Sequence, residues 1–171
     1  MDKQLNASGR QDHCTPEGFL VLVRTVLGRI DLDPCASRDS VVGATESYYT
    51  EDDGLKLPWF QAQGNGLEPG AGVKVFCNPP YARDVVRWID KCIEEHAGAA
   101  GGDELILLTA SRTDTRWFQR LFCHATTVCF WRGRLTFRGC DAPAPFPSLV
   151  SYFGDRPTWF RSVFGKAGIC P

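Results

Sequence analysis

A continuous apolar run, Glu104-Leu105-Ile106-Leu107-Leu108, constrains the fold more than any other feature of the chain. A strand with one wet face alternates apolar and polar residues, so a run without alternation has both faces buried. Strands of that kind belong to parallel sheets with helices on each side. Val73-Lys74-Val75-Phe76-Cys77 reads as a second buried strand. Around these runs the apolar spacing switches to that of helices. Phe19, Leu20, Val23 and Leu27 form a stripe in a helix that Thr15 caps, with Pro16 at its first position and Gly28 at its end. Residues 83–96 form another, with Val86, Ile89 and Ile93 on one face, followed by a flexible break over 97–102. A third, capped by Thr113 or Asp114, carries Trp117, Phe118, Leu121 and Phe122 as core residues. Strands alternating with helices predict a three-layer α/β domain.

The remaining segments fit that plan. Arg29-Ile30-Asp31-Leu32-Asp33 alternates and reads as a strand stopped by Pro34. Residues 37–47 are a polar connection, Tyr48-Tyr49-Thr50 a short strand, and Glu51-Asp52-Asp53-Gly54-Leu55 a turn. The Gly-rich 61–72 segment reads as a surface loop. Strands are expected at 126–131 and 135–137, either side of Arg132-Gly133-Arg134. Pro143, Pro145 and Pro147 mark a rigid loop before a last strand at 148–153.

With 171 residues, 43% of them hydrophobic, the chain is long enough for one domain with a substantial core. Residues 1–12 read as a disordered N-terminus and 13–171 as a single domain, with no separate domain for recognising a target. No apolar run reaches the ~18 residues of a membrane span. No apolar stretch of a secretory signal opens the sequence, so a cytoplasmic location is expected. The eight cysteines contain no Cys-x-x-Cys pair, which argues for reduced thiols and against a zinc site or disulfide framework. His13, His96 and His124 are isolated, so no metal is expected. The net charge of −1 conceals an asymmetry: residues 1–111 hold 10 Lys/Arg against 17 Asp/Glu, and residues 112–171 hold 9 against 3. A basic C-terminal third is a candidate phosphate-binding surface.

Asn78-Pro79-Pro80-Tyr81 follows the 73–77 strand directly. The prolines end the strand and donate no backbone hydrogen bond, which leaves the Pro79 carbonyl available to accept one from a ligand. The Asn78 side-chain oxygen supplies a second acceptor, and the Tyr81 ring a surface for stacking. Two acceptors on one exocyclic amine draw its lone pair out of conjugation and make it nucleophilic. Asp33 and Asp53 lie at or just beyond other strand ends, and ligands of such sheets bind at the carboxyl ends of strands. One crevice can therefore hold all three. Arg132, Arg134 and Arg138, interleaved with Trp131 and Phe137, can grip phosphates, as can Arg112 at a helix start.

These residues fall in blocks, in order: Thr15-Pro16-Glu17; Asp31-Leu32-Asp33-Pro34-Cys35-Ala36; Tyr49-Thr50-Glu51-Asp52-Asp53-Gly54-Leu55; Phe76-Cys77-Asn78-Pro79-Pro80-Tyr81; Ser111-Arg112-Thr113-Asp114-Thr115-Arg116-Trp117-Phe118; then Arg132-Gly133-Arg134-Leu135 and Ala144-Pro145-Phe146-Pro147-Ser148. Through them the chain resembles the small phage and prophage Dam family of DNA N-6-adenine methyltransferases over about residues 13–153. The resemblance implies a Rossmann-like class I methyltransferase fold, a three-layer sandwich with a mostly parallel sheet and a C-terminal antiparallel strand. It implies S-adenosylmethionine as methyl donor, DNA as partner, and a bacterial or phage-infected cytoplasm. By the same resemblance Asn78, Pro79, Pro80 and Tyr81 are the catalytic motif. Asp33, Pro34, Cys35 and Ala36 replace a Gly-rich cofactor loop, Asp53 meets the cofactor's adenine, and Thr15 and Pro16 lie near its methionine end, with Asn78 also at the cofactor. Two features depart from the general methyltransferase pattern: no Gly-x-Gly follows the first strand, and no clear acidic residue ends the second strand to hold the ribose.

Methyltransferases with this motif also modify RNA adenine and protein glutamine, and a non-enzymatic nucleic-acid-binding module on the same fold is a third reading. The basic C-terminal third disfavours a protein substrate, and the intact Asn78-to-Tyr81 motif disfavours an inactive module. In the enzymatic reading, a target adenine leaves the duplex stack, lies against Tyr81 and places its N6 amine on Asn78 and the Pro79 carbonyl.

Overall fold

In the computed structural model, which describes residues 14–60, 71–81 and 84–171, one seven-stranded sheet is sandwiched between two pairs of helices. The chain runs α1 (Glu17–Leu27), β1 (Leu32–Asp33), β2 (Glu46–Ser47), β3 (Lys74–Cys77), α2 (Val85–Ala97), β4 (Glu104–Ala110), α3 (Arg116–His124), β5 (Thr127–Trp131), β6 (Ser148–Phe153), α4 (Pro157–Phe164) and β7 (Gly168–Ile169). The order across the sheet is β2-β1-β3-β4-β6-β5-β7. Strands β2, β1, β3 and β4 pair in parallel, with Lys74 opposite Glu104 and Cys77 opposite Leu107. Strand β6 runs antiparallel between β4 and β5, and β7 antiparallel beside β5. The Rossmann-like α/β expectation therefore holds.

Every residue of β3 and β4 is buried, as the unbroken apolar runs require. On one face α1 and α4 pack Phe19, Leu20, Val23 and Phe160 against Phe76, Ile106, Leu108 and Val150. On the other, α2 and α3 pack Trp88, Ile89, Phe118 and Leu121 against Val75, Leu105, Leu107 and Leu149. Neighbouring residues of one strand thus serve opposite cores, which is why the runs cannot alternate.

The chain passes from β2, on one side of β1, to β3 on the other. This crossing opens a crevice beyond the carboxyl ends of β1 and β3, the usual ligand position in such sheets. Because β6 is antiparallel, the 132–147 connection also lies at that edge. At the opposite end, Glu104 (2% exposed) takes hydrogen bonds from Lys74 (2.6 Å), Tyr152 (2.6 Å) and Arg156 (2.6 Å). Burial pushes the Glu104 carboxyl up, and these donors reverse the effect, holding it below the usual range.

Several sequence expectations shift. Helix α1 begins at Glu17 with Pro16 as N-cap, and no side-chain cap bond forms, so Thr15 does not cap it. Arg29 and Ile30 precede β1, and the second strand is Glu46–Ser47 rather than Tyr48-Tyr49-Thr50. Helix α2 buries Val85, Trp88, Ile89, Cys92 and Ile93, which turns Val86 outward at 41% exposed. The cap of α3 is Thr115, one residue past Asp114; its hydroxyl oxygen accepts from the Phe118 N–H at 3.3 Å. Phe122 is 43% exposed and not core. Residues 135–137 form no strand: Arg138 bridges Cys14 instead. Strand β6 is not the last element, because α4 buries Phe160, Val163 and Phe164, and β7 follows. The disorder expected for 1–12 and most of the Gly-rich 61–72 loop fall outside the described residues.

Candidate functional site

Strand β1 ends at Asp33, which is only 4% exposed. Pro34 stops the strand, and the Cys35 N–H turns back to donate to Asp33 Oδ1 at 3.2 Å, an Asx-type turn. The Ser40 hydroxyl donates to Oδ2 at 3.4 Å. Burial outweighs both bonds and pushes the Asp33 carboxyl up to about 6. The 34–36 loop is tied to the chain beyond β2, since Ala36 N–H donates to the Tyr48 carbonyl (3.0 Å) and Tyr48 N–H to that of Asp33 (2.9 Å).

The turn after β2 closes over this loop. A Cβ on Gly54 would lie 1.9 Å from the Pro34 carbonyl oxygen, so only glycine permits the approach. Asp53, just before it, adopts a left-handed φ of 53° and pairs with Lys56 at 2.8 Å. The fully buried Trp59 pins the turn from behind: its Nε1–H donates to the Gly54 carbonyl at 2.8 Å and its ring stacks on Trp88 at 6.1 Å.

Between loop, turn and α2 lies a cavity of about 680 Å³, walled by Ala36, Arg38, Tyr49, Glu51, Asp53 and Trp88, among others. At its rim Arg38 pairs with Glu51 (3.3 Å) and lies over the Tyr49 ring (5.2 Å). A second, smaller pocket of about 50 Å³ is lined by Thr15, Asp33, Ser40, Asn78 and Pro79. Cys35, Ser37 and Pro80 line both.

Strand β3 ends beside β1 and delivers Asn78 to the smaller pocket. The Asn78 Nδ2 donates to the Thr15 hydroxyl oxygen at 3.0 Å, and its Oδ1 accepts from the Tyr81 hydroxyl at 2.7 Å. The Tyr81 ring packs edge-on to Phe146 (5.0 Å) and tilted against Phe137 (5.9 Å). Burial pushes the Tyr81 phenol well above its ordinary value, so it remains a donor. The Cys35 and Cys77 sulfurs are 3.7 Å apart, and burial raises both thiols, which keeps them protonated.

The two cavities thus gather Thr15, Asp33, Pro34, Cys35, Ala36, Asp53, Asn78, Pro79 and Pro80, and Tyr81 joins them through its bond to Asn78. Pro16 lines neither cavity; its carbonyl accepts the Phe19 and Leu20 N–H groups at the start of α1. Arg112, Arg132, Arg134 and Arg138 are all exposed, and among the described residues none joins an ion pair. Arg112 lies just beyond β4, and the other three lie in the 132–147 connection at the same edge as Asn78. Sequence reading passed over Ser40, Arg38, Glu51 and Trp88. Glu51 had a signal in its acidic run, but the other three lie on a polar connection or a helix face and carry none.

Among protein families, residues 3–147 match the one described as DNA N-6-adenine-methyltransferase (Dam). No curated protein matches the chain. Strand β6, helix α4 and strand β7 lie beyond the matched segment. Among the described residues no group of three His, Cys, Asp or Glu side chains is placed to hold a metal ion, and no helix is long and apolar enough to cross a membrane.

Proposed function

The chain belongs to the DNA N-6-adenine-methyltransferase (Dam) family, and from that premise we propose that it transfers the methyl group of S-adenosylmethionine to the N6 amine of adenine in DNA. The observation that carries the reading is the position of Asn78. Its amide stands at the carboxyl end of β3, beside the pocket that holds the buried Asp33 carboxyl, and its oxygen faces a hydrogen-bond donor.

The two cavities fit the methyl donor by size and chemistry. A cavity of about 680 Å³ is within the usual range for a bound cofactor of this size. Its aromatic walls, Tyr49 and Trp88, suit an adenine ring, and the exposed Glu51 carboxylate suits ribose hydroxyls. In the adjoining pocket Asp33 supplies a negative charge for the cationic amino-acid end. Glu51 thereby offers the ribose acid that the sequence did not show, while Asp53 on the same wall is left for the adenine. The cofactor supplies a methyl group on a positively charged sulfur.

The chain's own residues do the rest. Asn78 Oδ1 and the Pro79 carbonyl accept the two N–H bonds of the target amine and raise the density on its nitrogen. The Tyr49–Trp88 wall and the Asp33 pocket would hold the cofactor, and with it the methyl electrophile for that nitrogen, with a neutral thioether left behind and the N6 proton released to solvent. Positioning and fixed dipoles account for most of the rate. Tyr81 with Phe146 and Phe137 offers an aromatic edge for the base once it has left the duplex. Arg112, Arg132, Arg134 and Arg138 hold the phosphates around it. Because the 132–147 loop carries three of these arginines and packs Phe137 and Phe146 on Tyr81, we take it as the candidate for contacting bases near the target.

Nucleoside mass spectrometry tests the reading, on DNA from a methylation-deficient host that expresses the chain. N6-methyladenine is expected with the native sequence and not with Asn78→Ala, while calorimetry finds cofactor affinity largely kept in the variant. An active Asn78→Ala refutes the assignment. Unmodified DNA alongside methylated RNA or protein moves the activity to that polymer.

A further inference from the structure

We propose that Thr15 is a positioning residue for methyl transfer, which fixes the Asn78 amide with its oxygen toward the target amine; the inference rests on the function proposed above. The two ends of an asparagine amide are nearly equal in shape and opposite in hydrogen bonding. An amide turned the wrong way would set its NH2 donors against the donors of the adenine amine, and the acceptor pair would be lost. Something must therefore hold the NH2 end away from the target amine.

Thr15 is built for that task. Its hydroxyl oxygen receives Asn78 Nδ2–H at 3.0 Å across 63 residues of sequence. The residue is 4% exposed, so solvent does not replace the bond. Its backbone is held on both sides. Pro16 follows it and restricts it to extended conformations, and the carbonyl of Cys14 before it accepts the Arg138 N–H at 2.8 Å. Thr15 also sits one residue ahead of the N-cap of α1, a helix with no side-chain cap bond. Such a cap typically stabilises a helix, yet here the hydroxyl is directed at Asn78. On the far side of the amide, Tyr81 O–H donates to Oδ1 at 2.7 Å. That donor sets Oδ1 on the side of Tyr81, where the target base is proposed to lie, and an incoming amine N–H takes its place.

Thr15→Val keeps the shape of the side chain and removes the hydroxyl, and Thr15→Ser keeps the hydroxyl. Three quantities are measured on the full chain: the single-turnover rate of methyl transfer to DNA from a methylation-deficient host, the calorimetric Kd for S-adenosylmethionine, and the Asn78 side-chain NH2 signal in nitrogen-15 spectra, assigned by its loss in Asn78→Ala. Thr15→Val is expected to lower the rate about 10- to 100-fold, to leave the cofactor Kd within about threefold, and to move the NH2 signal. Thr15→Ser restores both the rate and the signal. A native rate in Thr15→Val overturns the proposal, as does a loss confined to cofactor Kd, which would make Thr15 a cofactor contact. Thr15→Ala removes the same hydroxyl if the valine variant does not fold. If the native chain methylates no DNA, the parent reading fails on the rate alone. The NH2 signal still reports whether Thr15 holds Asn78, and a signal unmoved in both Val and Ala variants refutes that hold.

Discussion

Asp33→Asn should make the protein more stable at neutral pH while weakening its cofactor binding. The carboxyl titrates near 6 in the fold against 3.8 in an ordinary setting. At about 1.4 kcal/mol per pH unit, the gap amounts to about 3 kcal/mol. The sign follows from burial. The folded state holds the proton more tightly than the unfolded one, so unfolding gains from ionisation as pH rises. The destabilisation is small at pH 4, grows between 4 and 6, and is complete above that. Asparagine has the same shape, its oxygen still accepts from Cys35 N–H, and its NH2 can donate to Ser40, but it carries no charge to bury. Urea unfolding of both proteins should show Asp33→Asn more stable by about 3 kcal/mol at pH 7.5, or about 6–12 °C in Tm for a domain of this length, with the difference shrinking to a few tenths of a kcal/mol near pH 4. Calorimetry should show the opposite trade for S-adenosylmethionine: weaker binding in the variant, and in the native protein a Kd that rises about tenfold per unit as pH falls below 6. An asparagine variant less stable at pH 7.5, or equally changed at both pH values, would refute the idea that an ionised carboxyl is held there against its burial cost for the sake of a cationic ligand.

Gly54→Ala sets a methyl group 1.9 Å from the Pro34 carbonyl and 3.3 Å from the Trp88 ring; a stability loss of about 1–3 kcal/mol with weaker cofactor binding is expected from urea melts and calorimetry, and native values in both would show that the turn can back away. Glu104→Ala leaves Lys74, 7% exposed, without its counter-charge; a loss of about 3–5 kcal/mol is expected in thermal or chemical unfolding, and a loss under 1 kcal/mol would mean that water reaches the site. Arg134→Ala should weaken DNA binding about equally on all sequences and reduce the slope of log K against log salt by about 1. An unchanged slope, read by fluorescence anisotropy at several salt concentrations, would place Arg134 away from the phosphates.

The 132–147 connection bears on more than phosphate contact. Its Arg138 N–H holds Cys14, next to Thr15, and its Phe137 and Phe146 pack on Tyr81. The candidate DNA-facing loop therefore packs on one partner of Asn78, Tyr81, and bonds the residue next to the other, Thr15. In the proposed function, this loop would couple contact with DNA to the chemistry at Asn78.

What could be read from the chain alone was whatever short-range physics dictates. The unbroken runs at 73–77 and 104–108 announced buried strands because both their faces meet apolar helices. Pro34 and the 79–80 pair announced strand ends because proline cannot continue a ladder. Asp33 and Asn78 were then placed at those ends by position alone, and the α/β architecture followed from the alternation. The sequence could not show which partner each polar group would choose. Thr15 has the local chemistry of a helix cap, yet a bond to Asn78 across 63 residues prevails over that propensity. Ser40 reaches Asp33, and Arg38 with Glu51 edges the large cavity, only because the loops after β1 and β2 fold over one another. The insertion of β6 antiparallel between β4 and β5, and the α4 and β7 elements behind it, were likewise settled by packing. Backbone propensity acts over a few residues and leaves a periodic trace, whereas a hydrogen bond between distant side chains leaves none, so the tertiary structure alone could assemble the site.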